Sequence, residues 1–383
     1  MKLVIQNGSR VWGGNEKWLA TLAAGLAARG HEVVVSCRGS GPVPDELRRR
    51  GIRTAPVRPG GYADVGRGVR FRRWLRRERP DALLLTSWRT TFWGAWAGRR
   101  AGVPRVVVRL GIVRELEHGR HALPFRRWVD ALVVNAREIR DAWLRSAPWF
   151  PAEAVHVVFN GIVPADAPPE EATRALRARL GAGPETLLVG GVGNLTYRKG
   201  FDLLLDAFAA AAVPDARVVI VGAGPEEGAL RERAARLGVA DRVHFAGQRS
   251  DVPEVLAACD LFVLSSRNEG MANVMLEAMA VGTPVVAADV SGVRDAVGLA
   301  EGGAEAGWIV PPDDAAALRI TLREVLTDLR AGAGEAARRA EEARRRIRER
   351  FGVERMVDEV ERVLFPGIET ATRPARPAAR VRR

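Results

Sequence analysis

The sequence predicts an α/β protein of two doubly wound parallel-sheet domains facing each other across a cleft. Three observations predict it. Short, continuous runs of Val, Leu and Ile alternate with segments of helical periodicity, the pattern of a parallel sheet buried on both faces. The series occurs twice, on either side of a proline-rich break. The chain has 383 residues, 47% of them apolar and 27% charged, enough for two separate cores.

In the first half, strands are predicted at LVIQ (3–6), EVVVS (32–36), ALLLT (82–86), RVVVRL (105–110), ALVVN (131–135) and VHVVFN (155–160). PADAPPEE (164–171) carries three prolines and marks the linker. In the second half they are predicted at LLVGGVG (187–193), RVVIVG (217–222), RVHFAG (242–247), LFVLSS (261–266), PVVAAD (284–289) and GWIVPP (307–312). This sets one Rossmann-like domain at 1–165 and a second at 166–350. EAARRAEEARRRIRER (335–350) reads as an exposed helix of interleaved charges. Residues 351–365 form a C-terminal helix expected to pack back on the first domain, and 366–383 a disordered basic tail.

No stretch reaches the ~20 apolar residues of a spanning helix, and the N-terminus lacks the pattern of a secretory signal. Cys37 and Cys259 lie far apart and suggest neither a disulfide framework nor a metal site. A cytoplasmic location is expected. Residues 1–165 carry 29 Lys and Arg against 13 Asp and Glu, whereas 166–383 carry 30 against 33. Nine of the ten tryptophans also lie in the first half. Such a half suits an anionic membrane face, a phosphorylated acceptor or nucleic acid. No nucleic-acid recognition module is recognisable, so nucleic acid is not the expected partner.

In open parallel sheets, ligands sit beyond the carboxyl ends of the strands. The richest such loop lies in SSRNEGMANVMLEAMAVGTPVVAAD (265–289). Glu269 and Gly270 precede a helix starting near Asn273, whose unpaired N–H groups and dipole favour a phosphate. Gly270 would let the backbone come close to it. Glu277, one turn into the helix, can accept two hydroxyl hydrogen bonds, as a ribose offers. Eight helical residues span ~12 Å. That is longer than the ~5–9.5 Å between the carboxylates of a glycosidase.

The arrangement E-G-x-x-N-V-x-L-E-A-M-A-x-G-x-P-V-V resembles the signature of retaining GT-B glycosyltransferases of family 4, the glycosyl transferases group 1. The resemblance extends upstream through VGNLTYRKGFDLLLDAFA (192–209), VVIVGAGPEEGAL (218–230) and RVHFAGQRSDVPEVLAACDLFVLSSRNEG (242–270), and downstream through DVSGVRDAV (289–297). The first half matches more loosely, through WGGNEKWLATLAAGLAARGHEVVV (12–35) and HVVFNGI (156–162). It implies that Glu269 contacts the donor sugar, that Glu277 holds the nucleotide ribose, and that Lys199 neutralises the donor diphosphate. The loop Gly270, Met271, Ala272 and Asn273 would complete the donor site, with Gly13 and Gly14 facing the phosphates from the first domain. Lys2, Lys17 and Lys199 are the only lysines, against 56 arginines. A lysine kept between a strand and a helix marks a place where a guanidinium does not serve.

The sequence departs from the family in three places. Asn194 stands where a second phosphate-binding arginine is usual, with Arg198 a substitute. Arg109 and Leu110 stand where the acceptor domain often has a histidine, with His118 and His121 nearby. The long loop NGSRVWGGNEKW (7–18) leaves Trp12 and Arg10 free to contact an acceptor. Trp12, Arg109 and His118 are therefore the acceptor-side candidates.

The reaction implied is transfer of a sugar from a UDP- or GDP-linked donor to a glycan or lipid-linked acceptor, with retention and without a metal. The chain has no Asp-x-Asp pair, and its five histidines show no ligand spacing. Gly222, Gly224 and Gly228 form a dinucleotide fingerprint one residue too long, so no redox cofactor is expected. The alternative is a catalytically weak nucleotide-sugar binder on the same fold. Lastly, VRFRRWLRR (69–77) places Phe71, Trp74 and Leu75 on one helical stripe flanked by arginines. This predicts peripheral contact with the inner face of the cell membrane, with a helix packing its stripe inward as the other reading.

Overall fold

The computed structural model describes residues 1–114, 116, 119–163, 168–299 and 305–367. Among them the strands form two parallel sheets. The first holds β1 (Lys2–Gln6), β2 (Glu32–Ser36), β3 (Arg53–Ala55), β4 (Ala82–Leu85), β5 (Arg105–Leu110), β6 (Ala131–Val134) and β7 (Val155–Val157), in the order β3-β2-β1-β4-β5-β6-β7. The second holds β8 (Leu187–Val192), β9 (Ala216–Val221), β10 (Val243–Gly247), β11 (Leu261–Leu264), β12 (Val285–Ala288) and β13 (Trp308–Val310), in the order β10-β9-β8-β11-β12-β13. The sheets and the helices on their faces make the predicted pair of Rossmann-like domains. The strand absent from the sequence reading is β3, which is three residues long and carries a charged Arg53 in place of an apolar run.

Chain order reverses between β1 and β4 in one sheet and between β8 and β11 in the other. Each reversal opens a crevice at the carboxyl edge, because the flanking crossovers leave in opposite directions. The two crevices face each other. Helix Val353–Leu364 returns to the first sheet, burying Met356, Val357, Val360 and Leu364 among Leu3, Ile5, Leu22 and Leu26. Gly25 permits that approach, since a Cβ there would lie 2.6 Å from Val357. Arg29 closes the contact on Glu354, Asp358 and Glu361. His31 joins it, 2.7 Å from Glu361 and stacked on Phe365, a purely structural position.

Several sequence expectations change on packing. Helix Glu335–Arg350 is not merely a solvated charged rod. Ala336, Ala340, Ala343 and Ile347 line a buried face, and its Arg346 is buried as well. Helix Val65–Glu78 sends Phe71 and Leu75 fully into the core, where Gly68 abuts Trp93 of helix Thr91–Ala101. The stripe therefore packs inward and does not present a membrane-inserting face. Within residues 69–77 the exposed groups are Arg70, Arg73, Arg76 and Arg77. Among the described residues, no helix is long and apolar enough to cross a membrane. The predicted linker falls partly on residues 164–167, outside the described residues, as does the predicted tail from 368 onward.

Candidate active site

A cleft of about 940 Å³ lies where the carboxyl edges of the two sheets meet. From the second domain, β8 delivers the loop that carries Asn194, Arg198 and Lys199, and β11 delivers the loop that carries Glu269. Gly200 makes their close approach possible. It has φ +64°, and a Cβ there would lie 2.0 Å from the Ser265 carbonyl. Arg267 ties the loops together: its backbone N–H donates to the Arg198 carbonyl, and its guanidinium grips Asp202 bidentately at 2.8 and 2.7 Å.

At the floor, Lys199 Nζ donates to Glu269 Oε1 at 2.5 Å, Arg198 donates to Oε2 at 3.1 Å, and Ser266 Oγ donates to Oε1 at 3.0 Å. Burial pushes the Glu269 carboxyl up. The two cations and the hydrogen bonds from Lys199 and Ser266 outweigh it, holding the carboxyl below its ordinary range. It is a fixed anion inside a cationic pair. Beside it, helix Asn273–Val281 opens its N-terminus into the cleft without a side-chain cap, and Glu277 sits half-buried one turn along.

From the first domain, β5 carries Arg109, which is 6% exposed. Its guanidinium stacks 4.0 Å from the Trp18 ring and donates to Asn15 at 2.6 Å and to Asn160 at 3.1 Å. Burial lowers it to about 10, opposed by the nearby Glu16. Asn160 then reaches across the cleft to Asn273 at 2.6 Å, and Asn273 reaches Gly14. Gly270 also meets the first domain. A Cβ there would lie 1.5 Å from the Gly111 carbonyl, so its bare backbone lets the two domains touch. Lys17 and Glu277 face each other across the gap at 4.0 Å. On the outer side, Asp295 is buried against the N-terminus of helix Arg137–Ser146, accepting from the Arg137 N–H and guanidinium at 2.9 Å each.

The structure thus places Glu269, Lys199, Glu277, Asn194, Arg198, Gly270, Met271, Ala272, Asn273, Gly13, Gly14, Trp12 and Arg109 on one cleft. His118 lies outside the described residues. His121 packs against Tyr62 and Trp88, in an aromatic cluster. Arg109 is turned into the network binding the two domains. Sequence reasoning missed Asn15, Lys17, Asn135, Asn160, Trp88 and Arg114, which also line the cleft. For Asn160, within HVVFNGI, the one sequence signal is its position after β7. Gly222 and Gly224 meet the carbonyls of Gly193 and Leu195, where a Cβ would come within 1.9 and 2.3 Å. They shape the Asn194 loop. Among the described residues, no three His, Cys, Asp or Glu side chains converge as a metal site requires.

Two facing parallel-sheet domains with a charged, polar cleft between them have the architecture of the GT-B glycosyltransferases. The chain belongs to that family. Residues 173–346 match the family described as glycosyl transferases group 1, and residues 12–166 match that described as glycosyltransferase family 4. The lipopolysaccharide core biosynthesis glycosyltransferase LpsE of Rhizobium meliloti is 31% identical over 279 residues, covering 72% of this chain and 75% of LpsE. The mannosyltransferase LpsB of the same organism is 39% identical over 158 residues, a match that spans less than half of either protein, 39% of this chain and 44% of LpsB. Among solved structures, Anabaena HepE in complex with UDP superposes with a TM-score of 0.82 at 23% identity, over 95% of this chain and 99% of that one.

Proposed function

We propose that this chain transfers a sugar from a nucleoside-diphosphate sugar, UDP- or GDP-linked, to a glycan or lipid-linked acceptor, with retention of anomeric configuration and without a metal. The observation that carries the reading is the Lys199–Glu269–Arg198 cluster beside the open N-terminus of helix Asn273–Val281. An ammonium has three N–H donors. One is spent on Glu269, which leaves Lys199 two with which to face a diphosphate. Arg198 stands next to it and supplies the charge absent at Asn194. The helix N-terminus adds dipole charge to the same spot.

In this reading Glu277 holds the ribose, Gly13 and Gly14 border the phosphates, and Glu269 accepts hydrogen bonds from the donor sugar. The sugar C1–O bond to the diphosphate breaks as the acceptor oxygen bonds to C1 on the same face, and the departing phosphate oxygen takes the acceptor proton. No separate base is required. Trp12, Arg109 and Arg114 border the acceptor. HepE was solved with UDP-glucose, and LpsE and LpsB act in lipopolysaccharide core synthesis. These support a nucleotide-sugar donor and an acceptor of envelope glycan type. Arg198 in the cleft weighs against a merely binding role.

The test is to ask which nucleotide sugar in a panel raises the melting temperature. That donor is then incubated with candidate acceptors in excess EDTA, and the anomeric configuration of the product is read by NMR. Inversion, or activity restored only by Mg²⁺ or Mn²⁺, overturns the mechanism.

A further inference from the structure

A second cavity, of about 280 Å³, opens on the first domain. The segments after β2 and β3 and the first turns of helix Val65–Glu78 form it, so it shares the carboxyl edge on which ligands collect. Its lining carries four arginines, Arg38, Arg58, Arg67 and Arg70. The carboxylate that acts on Arg58, Asp64, is already engaged: it caps the helix through the Arg67 N–H and pairs with the Arg67 guanidinium at 3.1 Å.

The other three have no such partner. Among the described residues, Arg38, Arg58 and Arg70 make no ion pair. Arg38 Nε is buried without a hydrogen-bond acceptor, although a buried donor left unmade is costly. Arg58 is half-buried, and burial together with the charges of Arg38, Arg67 and Arg10 makes its protonated form harder to keep. Like charges gathered in a partly buried hollow destabilise the fold unless an anion joins them.

We propose that Arg38, Arg58, Arg67 and Arg70 form a binding site for a phosphate or diphosphate group, separate from the donor cleft. Guanidinium forks match the oxygens of such a group in pairs. Arg10, two residues before Trp12 of the cleft wall, adds its positive charge to that felt by Arg58. The group belongs either to a soluble phosphorylated acceptor or to a lipid headgroup.

The test is titration of the full chain with inorganic pyrophosphate, followed by calorimetry and thermal melts in phosphate-free buffer. Wild-type protein and Lys199→Ala, which removes a cation of the donor cleft, are both expected to bind and to melt higher with the anion. Introducing Arg58→Gln and Arg70→Gln into each is expected to weaken binding about 10- to 100-fold. In the absence of anion, that pair should melt at the same temperature as its parent or higher, because repulsion has been relieved. No pyrophosphate binding, loss of binding in Lys199→Ala alone, or full binding in the Arg58→Gln/Arg70→Gln pair overturns the site. Co-sedimentation with vesicles of phosphatidylcholine, with and without phosphatidic acid, then identifies the source. Sedimentation that requires phosphatidic acid and falls in the pair assigns a headgroup. Sedimentation unaffected by the pair assigns a soluble phosphorylated acceptor.

Discussion

Lys199 Nζ lies 2.5 Å from Glu269 Oε1, across 70 residues of sequence and between two loops from adjacent strands, β8 and β11. The contact fixes both groups before any substrate arrives. The carboxylate stays ionised, and the ammonium lies on the cleft wall. Preorganised charge of this kind stabilises a transition state without reorganisation at the moment of reaction.

Replacement of Lys199 by Ala is therefore expected to lower turnover by about 10²–10³-fold, the loss of one preorganised charge contact. Steady-state kinetics with saturating donor measures it. Near-normal turnover would remove Lys199 from the mechanism.

The same pair sets a pH dependence. Glu269 titrates below its ordinary value of 4.5 in the folded protein. Its stabilising contribution is thus complete above that value and is lost as pH falls through the lower folded-state value. Thermal melts of wild type and Glu269→Gln between about pH 6 and pH 3 should converge as pH falls. A difference in melting temperature that stays constant across the range would contradict the depressed carboxyl.

The two glutamates should separate kinetically. Glu277→Gln is expected to raise KM for the donor with little change in kcat, because ribose contacts are alike in ground and transition states. Glu269→Gln is expected to reduce kcat, because contacts to the sugar tighten as charge develops on it. If both variants changed KM alone, Glu269 would lose its assigned role.

The contacts that bring the domains together can be tested apart from chemistry. Gly270→Ala places a Cβ where only 1.5 Å separates it from the Gly111 carbonyl, so the loop or the domains must move apart. Asp295→Asn weakens the clasp on Arg137 on the opposite side. Each should cost about 1–3 kcal/mol of stability. Each should also enlarge the radius of gyration seen by small-angle X-ray scattering. Unchanged scattering in both variants would mean that these contacts do not hold the domains together.

The strand runs were legible because a strand buried on both faces must be apolar throughout, and Val-rich runs such as Val106–Val108 can satisfy nothing else. The cleft loops were legible for a related reason: a parallel sheet delivers its ligand loops at one edge, so Glu269, Lys199 and Glu277 could be placed by their positions after strands or at a helix start. What tertiary structure alone decided is which groups are spent on one another. Arg109 reads as a free cation after β5 until Asn15, Asn160 and Trp18 enclose it. Phe71 and Leu75 give the same stripe on a membrane-facing helix as on a core-facing one, and only the neighbouring helix with Trp93 shows that it turns inward. Periodicity and spacing report the local backbone, whereas burial and pairing depend on residues tens to hundreds of positions away, brought close only when both sheets have formed.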